Sequence, residues 1–169
     1  MRQKVLFLMV LCWYWASLSY AQPSNQTPVW SFLCERYAYS GTLEVQLSKT
    51  PKGGILKLAI ESASTNSVQL AGTTYLFLKN NNSITCTDKN KRSIEGSKIV
   101  SYFELNAAEM KQLQQSSIDY IHFNLKGKSS SFSSQLGNFT AVNKHGYFSK
   151  DTAENPNYID TALAVKMLY

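Results

Sequence analysis

The amino-acid sequence predicts an α+β domain with a mainly antiparallel sheet, one short internal helix and a C-terminal helix. Three observations indicate this fold class. Apolar residues recur with a period of two along most of the chain, turn-forming residues separate these segments at hairpin spacing, and one segment opens with a helix-capping pattern. The alternative is an all-β fold with a helical excursion. We expect one globular domain over residues 29–169.

The first predicted strands have one apolar face each. Trp30, Phe32 and Cys34 share a face of the first strand. A hairpin follows, and it turns at the Pro- and Gly-containing segment 50–54. The apolar positions of this hairpin are Leu43, Val45, Leu47, Leu56, Leu58 and Ile60.

A second hairpin is predicted from residues 74–79, with a turn at the three asparagines 80–82 and a return through Ile84 and Cys86. Asn tolerates the left-handed backbone that such a turn requires. A basic loop with Lys89, Lys91 and Arg92 follows, and we expect it to be solvated. Another strand is predicted over residues 99–105.

The internal helix is predicted over residues 107–115. Asn106 and Glu109 have the spacing of a capping box, and Met110 and Leu113 then fall on one helical face. After residue 117 the apolar residues again recur with a period of two, which predicts a strand. One face of that strand carries Ile121, Phe123 and Leu125, and the other carries Tyr120, His122, Asn124 and Lys126.

The remainder of the chain is less regular. We expect a polar loop over residues 127–134, a short strand over 139–142 and a long irregular stretch over 143–157. A terminal helix over 158–169 is predicted from the four-residue spacing of Ile159, Leu163 and Met167. The alternative for its last residues is a strand.

The N-terminal segment predicts export. Arg2 and Lys4 precede an apolar run over residues 5–18, and small residues follow at a spacing that signal peptidase reads. The run is shorter than the roughly 20 apolar residues of a membrane-spanning helix. We therefore expect a signal peptide over residues 1–21, a polar linker over 22–28, and a secreted or periplasmic protein with no membrane span after cleavage.

Charge and composition restrict the kinds of partner and cofactor that we expect for this protein. Cleavage would remove two of the 17 basic side chains, Arg2 and Lys4, which lowers the formal charge from +6 to +4. That charge is spread thinly, so we expect no nucleic-acid partner. The His, Cys and carboxylate residues lack the spacing of metal ligands, and no phosphate-binding loop occurs. We expect no cofactor and no metal, and an envelope protein or a glycan of unknown identity as partner.

Cys34 and Cys86 are the cysteines outside the signal segment. Each is predicted to point into the core from an apolar strand face. An oxidising compartment would permit a disulfide between them. The alternative is two buried thiols, and the sequence alone does not decide between the two.

Candidate binding residues lie in the long irregular stretch and on the sheet. They are His145, Tyr147, Phe148 and Tyr158, together with Tyr120 on the outer face of its strand. Aromatic rings at a polar surface can anchor a protein or stack on sugars. These residues favour a non-catalytic binding or accessory module.

Two further hypotheses remain open. An envelope hydrolase would pair His145 with a loop carboxylate such as Asp151 or Glu154, although the chain lacks a Gly-x-Ser-x-Gly elbow. We therefore assign no catalytic residue. A structural envelope component would instead pack its terminal segment, from Tyr158, on another copy.

The segment 105–110, followed by Leu113 and the strand 118–123, resembles segments of exported, uncharacterised domains of Gram-negative bacteria. The resemblance implies an envelope location and carries no active site. The Asp-Thr-Ala triplets at 151–153 and 160–162 are similar to an O-glycosylation sequon that some such bacteria use.

Overall fold

The structure is a computed structural model that describes residues 24–35, 41–129, 135–146 and 157–169. Within these ranges it contains one sheet of ten strands and two helices. All of its strand pairs are antiparallel, which confirms the predicted antiparallel sheet. Strands dominate so strongly that the all-β alternative also fits, and the α+β class is confirmed only in part. The predicted signal peptide lies outside the described residues.

The elements have the following bounds. The strands are β1 (Trp30–Cys34), β2 (Thr42–Thr50), β3 (Gly53–Glu61), β4 (Val68–Leu70), β5 (Thr74–Leu78), β6 (Ser83–Cys86), β7 (Arg92–Glu95), β8 (Lys98–Asn106), β9 (Ile118–Gly127) and β10 (Gln135–Val142). The helices are α1 (Ala107–Gln115) and α2 (Thr161–Lys166).

The sheet is continuous and strongly curved. Its strand order is β6-β5-β9-β10-β1-β2-β3-β8-β7, and β4 pairs with β9 beside this path. Both β4 and β6 also approach β8, so the two ends of the sheet come together. The inner face therefore encloses a single hydrophobic core.

The predicted alternation is confirmed along the inner face. Phe32, Phe103 and Phe123 are at most 1% exposed, and they come from three different parts of the chain. Removing an aliphatic or aromatic side chain of this size from water stabilises a fold by roughly 1.5–3 kcal/mol. Other large side chains that are fully buried include Leu43, Leu47, Leu56, Leu58, Ile60, Leu70, Leu76, Met110 and Leu113.

The two predicted hairpins are confirmed, and the turn of the first is tighter than expected. Thr50 pairs with Gly53, which leaves only two residues in the turn. Gly53 has a φ of +148°, and a Cβ there would overlap the carbonyl oxygen of Leu105. Only glycine fits this position. In the second hairpin, Asn81 has the predicted left-handed backbone, with a φ of 66°.

Residues 24–28, in the predicted linker, lie against β2. Gln26 forms a bridge with Ser48. The N–H of Thr27 donates to the carbonyl of Leu47 at 2.8 Å, and its hydroxyl accepts the Leu47 N–H at 3.0 Å. Thr27 is buried as a result.

The expected solvated basic loop contains part of the sheet instead. The sequence analysis missed β7, because none of its four side chains is buried and it shows no apolar alternation. Arg92 Nε donates to the carbonyl of Leu70 at 2.7 Å, and its guanidinium pairs with Asp88. The same carboxylate accepts the Gly72 N–H at 2.7 Å. Arg92 thus ties β7 to β4, at the place where the two ends of the sheet meet.

Helix α1 has the predicted bounds and the predicted cap. Asn106 Oδ1 accepts the Glu109 N–H at 2.9 Å, and Glu109 Oε2 accepts the Asn106 N–H at 2.7 Å. Met110 and Leu113 are buried, and the helix packs on β3, β8 and α2. The capping box satisfies two backbone groups that an uncapped helix would leave to water.

The terminal helix is shorter than predicted, and the face that it packs against the core is not the predicted one. Leu163 and Met167 are 50% and 73% exposed, so they are not the core-facing residues we expected. Thr161, Ala162 and Val165 are buried instead. The period of four was misleading because hydrogen bonds at the start of the helix fix its rotation.

Those bonds join α2 to the start of β9. Ser117 Oγ donates to Asp160 Oδ1 at 2.8 Å, and Thr161 Oγ1 accepts the Ile118 N–H at 2.9 Å. Asp160 also caps the helix by accepting the Leu163 N–H. The hydroxyl of Thr161, in the second Asp-Thr-Ala triplet, is therefore buried and bonded in the fold.

Asn143 completes this attachment from the end of β10. It is 2% exposed. Its Nδ2 donates to the carbonyls of Ile118 at 2.6 Å and Ile159 at 2.9 Å, and its Oδ1 accepts the Ile159 N–H at 2.9 Å. One amide thus joins β9, β10 and the segment that leads into α2.

The substitution Asn143→Ala would remove three hydrogen bonds to the backbone, those of the Ile118 carbonyl and of the Ile159 N–H and carbonyl. The Ile159 carbonyl would keep the Thr161 N–H as a donor. We expect the free energy of unfolding in urea to fall by about 2–4 kcal/mol, because buried unpaired polar groups are costly. Lys144→Ala, at an exposed neighbour, is the control and should stay within about 0.5 kcal/mol of the parent. Equal stabilities of the two variants would contradict the assigned role of Asn143.

A second prediction concerns pH. The Ser117 hydroxyl, helped by the Leu163 N–H, lowers the pKa of Asp160. A lowered folded pKa means that the carboxylate stabilises the fold above its unfolded pKa of about 3.9, and that this stabilisation disappears as the pH falls through the folded pKa. The parent should therefore be more stable than Asp160→Asn at pH 6, and the difference should shrink below about pH 4. A difference that stays constant in urea titrations from pH 6 to pH 3 would contradict this.

Candidate functional site

The outer face of β5 and β9 carries four rings. Because Leu76 and Leu78 point into the core, the intervening residues of β5 must point outward. The same argument applies to β9, where Ile121 and Phe123 point inward. We call the four outward residues, Tyr75, Phe77, Tyr120 and His122, the aromatic strip.

Cross-strand register brings the rings of the strip together. Phe77 lies opposite Tyr120, and their ring centroids are 4.4 Å apart at an interplanar angle of 13°. His122 lies opposite Tyr75, and its ring centroid is 4.9 Å from that of Phe77. Phe77 and Tyr120 thus cover each other, whereas His122 is exposed and Tyr75 is 40% exposed.

A groove begins at the two exposed members of the strip and crosses the sheet. Thr140 on β10 lies opposite His122, and the Glu35 N–H, just after β1, donates to the Thr140 carbonyl at 3.0 Å. Tyr75, His122, Thr140 and Glu35 therefore form one row across four neighbouring strands. Three strand spacings make this row about 14 Å long.

The groove has a volume of about 460 Å³. Asn124 and Asn138 face each other in the next row and extend its polar lining. We call this the outer groove. Its lining residues are Glu35, Tyr75, His122, Asn124, Asn138 and Thr140, and it is also bordered by Phe123 and Phe139, two residues of the core side of the sheet. Its volume is in the usual range for a small-molecule site.

The lining of the outer groove offers hydrogen bonds and ring contacts. Two amides, a hydroxyl, an imidazole and a phenol can all donate or accept. Glu35 is the one acidic side chain among the described lining residues, and no Lys or Arg accompanies it there. The site is therefore weakly acidic, although the whole chain has a formal charge of +6.

The predicted site residues are distributed over the molecule. Tyr120 belongs to the aromatic strip. His145 is exposed beyond the end of β10, where its N–H donates to Asn157 Oδ1 at 3.0 Å. Tyr158 is half-buried, with Lys79 Nζ 3.1 Å from its ring centroid. That contact holds Tyr158 against the end of β5.

Four of the predicted residues cannot be compared with the structure. Tyr147 and Phe148 lie outside the described residues. The same is true of Asp151 and Glu154, the carboxylates that the hydrolase hypothesis pairs with His145.

The two cysteines lie on strands that are far apart in the sheet. Cys34 is on β1 and Cys86 on β6, four strand spacings away, or about 19 Å along the sheet. Among the described residues no disulfide joins these two. A disulfide requires Cα atoms within about 7 Å, and the structure describes both residues as buried thiols.

Burial also lowers the reactivity of both thiols. It raises the pKa of Cys34 and of Cys86 to about 12, and for Cys86 the nearby Glu109 carboxylate adds to the effect. At neutral pH both groups are protonated, and a protonated thiol is a poor nucleophile.

A larger groove, of about 680 Å³, lies between the turn that precedes β3, the end of β6 and the start of α1. It contains none of the predicted residues and no aromatic ring. Its charged side chains have both signs: Lys52 and Lys89 face Glu104 and Glu109. Lys91 also pairs with Glu104 and lowers its pKa. This groove is less distinctive as a recognition site because its charges offset one another.

The sequence analysis missed most of the outer groove. Tyr75 and Phe77 could have been assigned to the outer face, because they alternate with Leu76 and Leu78, which are aliphatic and occupy the inner face of the same strand. Glu35, Asn138 and Thr140 could not, because only the strand order brings β10 and the end of β1 beside His122.

The described residues contain no group of three or more His, Cys, Asp or Glu side chains placed to hold a metal ion. Neither α1 nor α2 has the length and apolar character that crossing a membrane would require. No protein-family model, no curated protein and no solved structure matches the chain.

Proposed function

We propose that this chain is an exported, non-catalytic binding or accessory module, secreted or periplasmic, and that it recognises its partner through the outer groove and the aromatic strip. The observation that carries the proposal is the placement of four rings on the outer face of the sheet, two of them at the mouth of a polar groove. The core does not require rings at these positions, because the opposite face buries the apolar residues.

Sheet stability accounts for only part of the strip. A cross-strand aromatic pair such as Phe77 with Tyr120 stabilises a sheet by a few tenths of a kcal/mol to about 1 kcal/mol. Tyr75 and His122 have no such stacked partner among the described rings, and both remain accessible. Exposed aromatic residues beside polar groups are typical of recognition surfaces.

Binding is favoured over catalysis by the spacing of the ionisable groups. His122 and Glu35 are separated by Thr140, so their backbones are about 10 Å apart. A general acid–base pair acts within hydrogen-bond distance of the reacting atoms and commonly of each other. The cysteines are protonated and buried, which makes them unsuitable as nucleophiles.

The binding proposal is tested by capture from an envelope fraction. We expect the double variant Tyr75→Ala/His122→Ala to retain about one-tenth of the partner that the parent captures, because a few exposed anchors dominate such surfaces. Tyr169→Ala is the matched control, since Tyr169 is 58% exposed and contacts Gly53 and Lys49 at a different part of the fold. Equal capture by parent and double variant, with both folded by circular dichroism, would overturn the proposal.

The export proposal has its own test. The intact mass of the protein recovered from its producing cell should correspond to a chain that begins at Gln22, because Ala21 ends the small-residue cleavage site. A mass that includes Met1 would contradict export through a cleaved signal peptide.

A further inference from the structure

We propose that the outer groove binds a neutral saccharide, with Tyr75 as the platform for a sugar ring and Asn124, Asn138, Thr140 and Glu35 as hydrogen-bonding partners for its hydroxyl groups. This inference rests on the proposed function and specifies the class of ligand. Three features of the site lead to it step by step: the ring at the mouth of the groove, the polar lining, and the pairing of the strands beneath.

The first step is the exposed ring. A pyranose has an apolar face of C–H groups and a polar rim, and an aromatic ring presents an apolar face of similar size. Tyr75 is 40% exposed, and its ring centroid is 6.5 Å from that of Phe77 at an interplanar angle of 39°. Since Tyr75 is not stacked on Phe77, a face of its ring remains for a ligand.

The second step is the polar lining. Each hydroxyl of a saccharide both donates and accepts, so a matching site must supply both kinds of group along its length. The outer groove carries both kinds of group: Asn124 and Asn138 have amide N–H donors and carbonyl acceptors, the Thr140 hydroxyl does either, and Glu35 accepts. Asn124 Nδ2 also donates to the Thr73 carbonyl at 3.0 Å, which holds that amide in place. An amphiphilic ligand with hydroxyls on its rim fits this combination.

The charge of the groove distinguishes neutral saccharides from acidic ones. Glu35 is the one acidic side chain among the described lining residues. A carboxylate or sulfate on a sugar would meet this charge, and no Lys or Arg is among the described lining residues to offset it. A described cation close by is Lys126, whose Nζ lies beside Gly72 together with Asn124 Nδ2, at one end of the groove. The groove therefore favours neutral sugars over acidic ones.

The third step distinguishes a saccharide from a peptide. Extended peptides commonly bind by adding a strand to an open sheet edge. At His122, β9 is paired with β5 on one side and β10 on the other, and at Thr140 the backbone of β10 is bonded to β9 and to Glu35. At these two described positions the groove crosses strands that are paired on both sides, which disfavours the addition of a peptide strand there.

The test is a set of titrations followed by two-dimensional ¹⁵N–¹H spectra of the exported protein. The probes are neutral tetrasaccharides of a hexose and of an N-acetylhexosamine, and a tetrasaccharide of a uronic acid. We expect at least one neutral probe to shift the amides of Tyr75, His122 and Thr140, and we expect the acidic probe to bind more weakly.

Three variants sharpen this test. Tyr75→Ala should weaken the neutral saccharide about three- to tenfold, because it removes an aromatic contact. Glu35→Gln should improve binding of the uronic-acid probe about two- to fivefold, because it removes a like charge at an exposed site. Tyr169→Ala should leave both affinities unchanged.

The outcomes separate the two proposals. If no saccharide shifts these amides but the Tyr75→Ala/His122→Ala variant still loses its partner from the envelope fraction, the saccharide inference is wrong and the groove binds a protein. Tighter binding of the acidic probe by the parent would also overturn the inference. If the double variant loses no partner and no probe binds, both proposals fail.

Discussion

The alternation of side chains across one curved sheet is the constraint on which this structure depends. Because the two ends of the sheet meet, the inner face accepts most of the large apolar side chains that the structure describes, and the outer face is left for other residues. A slip of β5 by one residue would exchange Leu76 for Tyr75 in the core. The register that closes the core therefore also places the aromatic strip on the surface.

Polar contacts complete the fold where apolar packing is thin. Asn143 and the start of α2 use buried hydrogen bonds, and the Asp88–Arg92 pair joins β7 to β4. Exposed ion pairs contribute less: Lys57 with Glu95 lowers the pKa of that carboxyl, yet such pairs are typically worth under about 1 kcal/mol. The buried amide should therefore influence stability more than the surface charges.

The sequence predicted the long strands and α1 because each has a complete local signal. In β2 and β3 the signal is strict alternation, and in α1 it is the pair Asn106 and Glu109. Local sequence patterns did not predict the elements whose position depends on contacts between residues that are distant in sequence. The rotation of α2 depends on Ser117 and Ile118, some 43 residues away, and β7 is recognised only by its pairing with β8.

The candidate site also combines a feature with a local sequence signal and features that depend on contacts distant in sequence. Tyr120 could be assigned to the outer face from its strand alone. The groove beside it depends on strand order, which places β10 between β9 and β1 and so brings Thr140 and Glu35 next to His122. Strand order arises from the packing of the whole core, and no short segment of the sequence encodes it.

The most direct test of the central claim, that the outer groove is the recognition surface, is photocrosslinking in the producing cell. A benzophenone amino acid would replace Tyr75 in one strain and Tyr169 in another. Our account predicts adducts from position 75 and none above background from position 169, with the intact mass of the adduct identifying its chemical class. Equal adducts from both positions, or adducts only from position 169, would contradict it.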